Sequence, residues 1–148
     1  MEHLDPEADA ERLRAAVGAF VRQARSGRDV LPRAQAAALG HLLRDGELTI
    51  VALANRERVR HQSMARTVAL LGDRELVQTR SDPDDRRRVL VTITQAGERL
   101  LTAERRKRSA WIARVTQHAL DEQEREVLRQ VPDILATLIA YDTARDNR

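Results

Sequence analysis

The sequence contains no cysteine, which excludes disulfide bonds, thiolate zinc sites and any thiol-based redox sensor. Aromatic residues are scarce as well, with one Trp, one Tyr and one Phe among 148 residues. No apolar run approaches the length of a membrane span, and no segment resembles a signal peptide. We therefore expect a cytoplasmic protein that has no membrane partner.

Signatures of the common enzyme classes are also missing. The sequence has no phosphate-binding loop, nucleophile elbow, metal-hydrolase helix or dinucleotide fingerprint, so we expect neither an enzyme nor a bound cofactor. The four histidines are scattered and show no pairing at the spacing of metal ligands, so we expect no metal. Because no linker or internal repeat divides the 148 residues, we expect a single domain over residues 1–148.

The positive charge is concentrated in one segment. Of the 26 cationic residues, 25 are arginine and Lys107 is the exception. Residues 56–88 hold nine arginines and six acids, a balance of +3 that equals the net charge of the whole chain. The remaining residues are balanced, and this distribution is typical of a protein that binds nucleic acid through one region.

The spacing of apolar residues predicts six helices and one small sheet. Residues with capping side chains or a preset φ mark the helix starts. Pro132 lies inside the last helix and is expected to kink or divide it. The predicted helices begin after Asp5, near Pro32, after Thr49, at His61, after Thr94 and after Asp121.

Two short runs with β character, residues 76–80 and 88–93, flank a turn rich in Asp and Pro. They predict a β-hairpin with three consecutive arginines beside its tip. Alternate residues of an extended segment point to the same face, so we expect Asp85 to brace Arg87. Arg86 and Arg88 would then lie on the other face, against phosphates.

The third and fourth helices are separated by a turn at residues 58–60, which is the spacing of a helix-turn-helix. With the hairpin that follows, the sequence predicts a mainly α (α+β) winged helix-turn-helix. The exposed start of the fourth helix is expected to contact base edges in the major groove, although an ordinary solvated polar face is the alternative. Candidate DNA-binding residues there are Arg60, His61, Gln62, Ser63 and Arg66, with Arg56 and Arg58 placed for phosphates.

The segments HQSMARTVALL, DPDDRRRVLVTIT and TQAG closely resemble the MarR family of bacterial transcription regulators. The likeness extends over nearly the whole chain, with the D-x-R pattern of the wing on Asp85 and Arg87 and the threonine–glycine pattern on Thr94 and Gly97. It implies a homodimer joined by helices within residues 1–30 and 95–148, around a DNA-binding lobe at residues 31–94. It also implies a repressor bound to a pseudo-palindromic operator in double-stranded DNA, with half-sites about 10 base pairs apart.

Many members of this family release DNA when a small aromatic or phenolic effector binds. Phe20, His41 and Trp111 are the candidate effector-binding residues, because they are the unusual large or titratable side chains on the helices that flank the lobe. Ordinary core or interface positions are the alternative for each. The sequence departs from the family pattern at three positions: Glu75 replaces a common glycine, Arg60 replaces a common serine cap, and Pro132 interrupts the last helix.

Another function remains open at this point. A dimeric interaction module that has lost specific DNA binding would keep the long helices and show only weak, salt-sensitive affinity for any DNA sequence.

Overall fold

The computed structural model describes residues 5–25, 27 and 29–146, with side chains as far as residue 141. Within these residues the chain forms six helices and one three-stranded antiparallel sheet, which confirms the predicted winged helix-turn-helix class. None of the described helices has the length and apolar character needed to cross a membrane. In chain order the elements are α1 (Pro6–Arg25), α2 (Arg33–Asp45), β1 (Leu48–Thr49), α3 (Ile50–Glu57), α4 (His61–Asp73), β2 (Val77–Ser81), β3 (Val89–Ile93), α5 (Gln95–Ala119) and α6 (Glu122–Asp146).

Four of the predicted helix starts carry side-chain caps. Each capping oxygen accepts a backbone N–H from the first turn and so satisfies a donor that has no partner within the helix. At the start of α6 the cap is reciprocal, because Glu124 also accepts the N–H of Asp121 at 2.9 Å. The capping pairs are Asp5 Oδ1 with Glu7 N (3.1 Å), Thr49 Oγ1 with Ala52 N (3.0 Å), Thr94 Oγ1 with Gly97 N (3.1 Å) and Asp121 Oδ1 with Glu124 N (2.9 Å).

Two expectations are corrected. The sheet contains a third strand, β1, which pairs with β3 and places Leu48 opposite Val91. The predicted division of the last helix at Pro132 is wrong, because α6 continues through this residue. Proline removes one backbone hydrogen bond, and the remaining turns on either side are sufficient to keep the helix continuous.

The chain divides into two compact units, residues 1–108 and 109–148. The hydrophobic core lies in the first unit, where α2, α3 and α4 meet the sheet and the start of α5. Leu39, Leu53, Leu71, Val91 and Leu101 are almost completely buried there and come from five different elements. This core fixes the orientation of α4 relative to the β-hairpin.

The end of α4 turns into β2 through a residue that has a left-handed conformation without being glycine. Glu75 has φ 57°, its N–H donates to Gly72 O at 2.8 Å, and the N–H of Leu76 donates to Leu71 O at 3.0 Å. These two bonds form a Schellman motif, in which glycine is the usual left-handed residue. The departure at Glu75 therefore keeps the turn and costs about 1 kcal/mol of conformational free energy.

The same turn is fastened to the start of α5. Thr94 Oγ1 donates to Glu75 O at 2.8 Å, and Thr94 N donates to Leu76 O at 3.1 Å. A Cβ on Gly97 would lie 2.2 Å from Leu76 O, so only glycine fits at this contact. The threonine–glycine pattern thus has a structural cause: it allows α5 to approach the backbone at the base of the hairpin.

A buried polar cluster joins the connection between α1 and α2 to α5. The carboxylate of Glu104 accepts the N–H groups of Val30 and Leu31. Asp29 Oδ2 lies 2.9 Å from Arg25 Nε and 2.8 Å from Arg108 Nη1. The other oxygen of each acid, Asp29 Oδ1 and Glu104 Oε2, is buried with no hydrogen-bond donor among the described residues.

Candidate nucleic-acid interface

The turn between α3 and α4 sets the direction of the proposed recognition helix. Arg58 has φ 52°, and the N–H of Val59 donates to Ala54 O at 3.0 Å, which closes α3 with a second Schellman motif. Arg60 occupies the N-cap position of α4 and makes no side-chain cap bond, as its departure from the family serine suggested. The chain therefore reverses through two exposed arginines immediately before α4.

One face of α4 is buried and the opposite face is open to solvent. Met64, Val68 and Leu71 pack into the core, as predicted, because they recur at intervals of three and four residues. His61, Gln62, Ser63 and Arg66 are all exposed, and they lie in the first two turns. This arrangement presents amide, hydroxyl, imidazole and guanidinium groups on one helix end, which is the donor and acceptor set that reads base edges.

The β-hairpin forms the wing. Its stem is the β2–β3 ladder, from Val77 opposite Ile93 to Ser81 opposite Val89. Beyond the stem the chain forms a turn in which Asp82 N donates to Arg88 O at 3.0 Å. All three consecutive arginines belong to the tip and are exposed. The hairpin therefore carries a row of fixed positive charges at its end.

Asp85 holds Arg87 as predicted, but for a different geometric reason. The backbone N–H of Arg87 donates to Asp85 Oδ1 at 3.0 Å, and its guanidinium donates to the same carboxylate at 3.1 and 3.4 Å. Residues 85–88 form a turn, with Arg88 N bonded to Asp85 O at 2.9 Å, and are not the extended segment that we assumed. Arg88 Nε also lies 3.5 Å from Asp85 Oδ2, so the placement of Arg88 on an opposite face is wrong.

The hydrogen bonds from the Arg87 side chain, followed by that from its backbone N–H, lower the pKa of Asp85 below its ordinary value. The carboxylate is therefore ionised at neutral pH. The side chain of Arg87 is nevertheless 92% exposed. A guanidinium with a fixed direction and free access to solvent loses less side-chain entropy when it enters a groove of DNA.

Two ion pairs near the interface were not predicted. Arg56 Nε lies 3.1 Å from Asp45 Oδ2, so this candidate phosphate ligand is directed by the end of α2. Arg80 donates two hydrogen bonds to Glu47, at 2.6 and 3.0 Å, across the face of the sheet. The partners lie 11 and 33 residues apart, and no sequence pattern connects residues at such separations.

The structure brings part of the predicted DNA-binding set together. His61 of α4 lines the same small cavity as Arg87 and Arg88 of the wing, together with residues from the start of α3. Arg56, Arg58 and Arg60 are exposed around the helix-turn-helix turn. Thus all eleven predicted residues belong to the end of α3, the start of α4 or the wing tip.

The three effector candidates have different surroundings. His41 is engaged at both ring nitrogens, with Nε2 2.6 Å from Glu57 Oε1 and Nδ1 2.7 Å from Arg44 Nη2. It therefore ties α2 to the end of α3. Phe20 is half exposed on α1, and Trp111 is partly buried on α5. Among the described residues no three His, Asp or Glu side chains are grouped closely enough to hold a metal ion.

Comparison with known proteins agrees with this geometry. A sequence model described as the MarR family matches residues 31–88, from the last turn before α2 to the wing tip. An HTH-type transcriptional regulator of Mycobacterium bovis is 40% identical over 105 residues, which cover 71% of this chain and 73% of that protein. The chain belongs to the MarR family of transcription regulators. Its members are DNA-binding transcription factors and not enzymes.

Solved structures of similar proteins share the fold. A putative transcriptional regulator from Pseudomonas aeruginosa is 29% identical, with a TM-score of 0.82 over 92% of this chain and 96% of that one. The regulator BpsR of Bordetella bronchiseptica, whose DNA binding is regulated by 6-hydroxynicotinic acid, is 24% identical. Its TM-score is 0.60 over 87% of this chain and 98% of that one, a likeness of fold alone.

Proposed function

We propose that this MarR-family chain acts as a homodimeric, sequence-specific repressor that leaves its operator when a small molecule binds. The observation that carries the DNA-reading part is the wing arginine Arg87, held by Asp85 beside the exposed start of α4. An isolated polar helix face is common on protein surfaces. A polar helix face next to a directed, fully charged wing is the combination that a winged helix-turn-helix uses on DNA.

In this proposal α4 enters the major groove and the wing enters the adjacent minor groove. Gln62 is suited to a bidentate contact with adenine and Arg66 to a bidentate contact with guanine. Arg87 would enter a narrow minor groove, where the negative potential is strongest. Arg56 and Arg58 would bind phosphates on the flank of the major groove.

The dimer is supported by apolar side chains that the chain leaves in solvent. On α1, Leu13, Val17 and Phe20 are each at least 40% exposed. On α6, Ile134 and Leu138 are more than half exposed. Contiguous exposed apolar faces of this kind mark association surfaces, and a second copy of the chain supplies the same faces by symmetry. Two linked DNA-binding lobes would then read a pseudo-palindrome.

For the effector we propose a small aromatic or phenolic acid, the class to which the ligand of the Bordetella regulator belongs. Phe20 and Trp111 remain candidates for its site, since aromatic side chains supply most of the contact area in such pockets. His41 is the weakest candidate, because Glu57 and Arg44 already engage its ring. Dissociation of a labelled DNA complex by a panel of hydroxylated aromatic acids tests this part.

The first test is fluorescence-anisotropy binding to DNA from upstream of the protein's own gene, with scrambled competitor, across a salt series. We expect saturable binding that survives competitor, with two chains on each site. Binding that is equal on scrambled DNA and disappears with salt would contradict the proposal. That result would favour an interaction module with only non-specific DNA affinity.

A further inference from the structure

A notch of about 100 Å³ lies between the starts of α3 and α4 and the wing. We call it the strand notch. Its walls are residues 49–51, His61, and residues 87–89. Three separate elements therefore meet around a space that the hydrophobic core does not fill.

The strand notch has an apolar side and a cationic side. Val51 and Val89 are 51% and 38% exposed, which is unusual for valines in a lobe with a well-formed core. Arg87 and Arg88 supply two fixed positive charges, and none of the described residues that line the notch is acidic. Apolar carbons next to cations match a deoxyribose and its phosphate, since the sugar offers apolar carbons and the phosphate offers a charge.

The position of the notch points to the same occupant. If α4 lies in a major groove and the wing in the adjacent minor groove, one sugar–phosphate strand separates the two elements. That strand must cross the space between His61 and the wing. We propose that the strand notch seats one nucleotide of this strand, with the sugar on Val51 and Val89 and the phosphate on His61 and Arg88.

The inference rests on the proposed function and changes the role of one residue within it. His61 was a candidate base reader, and it becomes a phosphate ligand that sets the register of α4 relative to the wing. Phosphate contacts position a protein on DNA without reading its sequence, whereas base contacts discriminate between sites. The roles of His61 and its neighbour Gln62 are therefore distinguishable by measurement.

The test compares His61→Ala with Gln62→Ala on two duplexes, the operator and a scrambled sequence, by anisotropy. Both side chains are exposed at the start of α4, so melting temperatures serve only to verify folding. We expect His61→Ala to weaken binding to both duplexes by the same factor, about three- to tenfold, as for loss of one hydrogen bond. Gln62→Ala should weaken operator binding more than scrambled binding.

Arg88→Ala tests the phosphate contact through its charge. The slope of log K against log salt should decrease in magnitude by about 1, as for one lost phosphate contact. A slope equal to that of the unsubstituted protein would contradict a phosphate at Arg88.

A methylphosphonate scan of the operator then locates the phosphate. Replacing one phosphate in each half-site should remove the difference between the unsubstituted protein and His61→Ala, and no other position should do so. A loss confined to the operator in His61→Ala, or a loss that no methylphosphonate masks, would overturn the inference. If the unsubstituted protein shows no operator preference, the proposed function fails. The scrambled-duplex arm and the salt slope still decide whether His61 and Arg88 bind phosphate.

Discussion

Between Leu31 and Leu101 most large apolar side chains are buried, whereas α1 and α6 leave theirs in solvent. Helices α2, α3 and α4 each contribute nearly inaccessible leucines to one core. By contrast, α6 has no buried residue among those described and exposes Leu138 and Ile139 by more than half. The two regions have similar apolar sequence patterns and different solutions to them.

This difference shows what each region is built to do. The DNA-binding lobe satisfies its apolar side chains within one chain, so its exposed surface is left for charged and polar groups such as Arg87 and Gln62. The terminal helices keep an apolar surface that a single chain does not cover. We infer that folding of the lobe and association of the chains depend on separate sets of residues, and substitutions in one set should spare the other.

The largest expected effect is on association. Leu138→Glu places a charge in the proposed interface, where it would be desolvated without a partner, so the dimer should dissociate completely at micromolar concentration. Sedimentation velocity measures the mass, which should fall from two chains to one. Ala140→Glu adds the same charge on the opposite face of α6 and should leave the dimer intact. A Leu138→Glu protein that remains dimeric would break the comparison.

The next largest effect concerns the lobe. Gly97→Ala forces a Cβ to 2.2 Å from Leu76 O, and backbone atoms cannot yield as a flexible side chain does. We expect the free energy of unfolding to fall by about 3 kcal/mol or more in urea denaturation. Gly72→Ala is the control, because nothing lies within 4 Å of its added Cβ. Equal stability of the two variants would show that the contact at Leu76 is not a constraint.

Arg87→Ala should affect DNA binding without affecting folding or association. The side chain is 92% exposed, so the melting temperature and the sedimentation coefficient should not change. Operator affinity should fall about tenfold, as for loss of a charged hydrogen bond. Arg129→Ala removes the same charge from the polar face of α6 and should retain full affinity. A collapsed fold in Arg87→Ala would instead assign this arginine a structural role.

The smallest effect is a gain in stability. Glu75→Gly removes the strain of a left-handed glutamate, so the free energy of unfolding should rise by up to about 1 kcal/mol. Thermal denaturation would detect a change of this size in a protein of this length. Glu75→Ala removes the carboxylate while keeping a Cβ, and it should give no such gain. A gain in both variants would indicate that the carboxylate, and not the backbone, is unfavourable.

The sequence was sufficient to predict the elements whose determinants are local. The caps at Thr49 and Asp121 bond to residues within three positions, so their residue types predict the helix starts. The Asp85–Arg87 pair is also local, and its existence was predicted correctly. Its geometry was not, because whether residues 85–88 are extended or form a turn depends on where the β2–β3 ladder ends.

Features that join distant parts of the chain were missed. Strand β1 has two residues and exists only through its pairing with β3, more than 40 positions away. Glu47 and Arg80 are brought together by the same sheet. Glu104 lies in a highly charged run that indicates exposure, yet it is buried because the N–H groups of the α1–α2 connection require an acceptor. In each case the tertiary contact decides, and local composition gives no signal.

Hydroxyl-radical footprinting on the upstream DNA, in the presence of excess scrambled competitor, tests the central claim most directly. The account predicts two protected patches of equal size, related by a dyad and centred about one helical turn apart, roughly 10 base pairs. Protection in each patch should weaken with Arg87→Ala where the wing meets the minor groove. Uniform protection along the duplex, or none once competitor is present, would contradict a dimer that reads two half-sites.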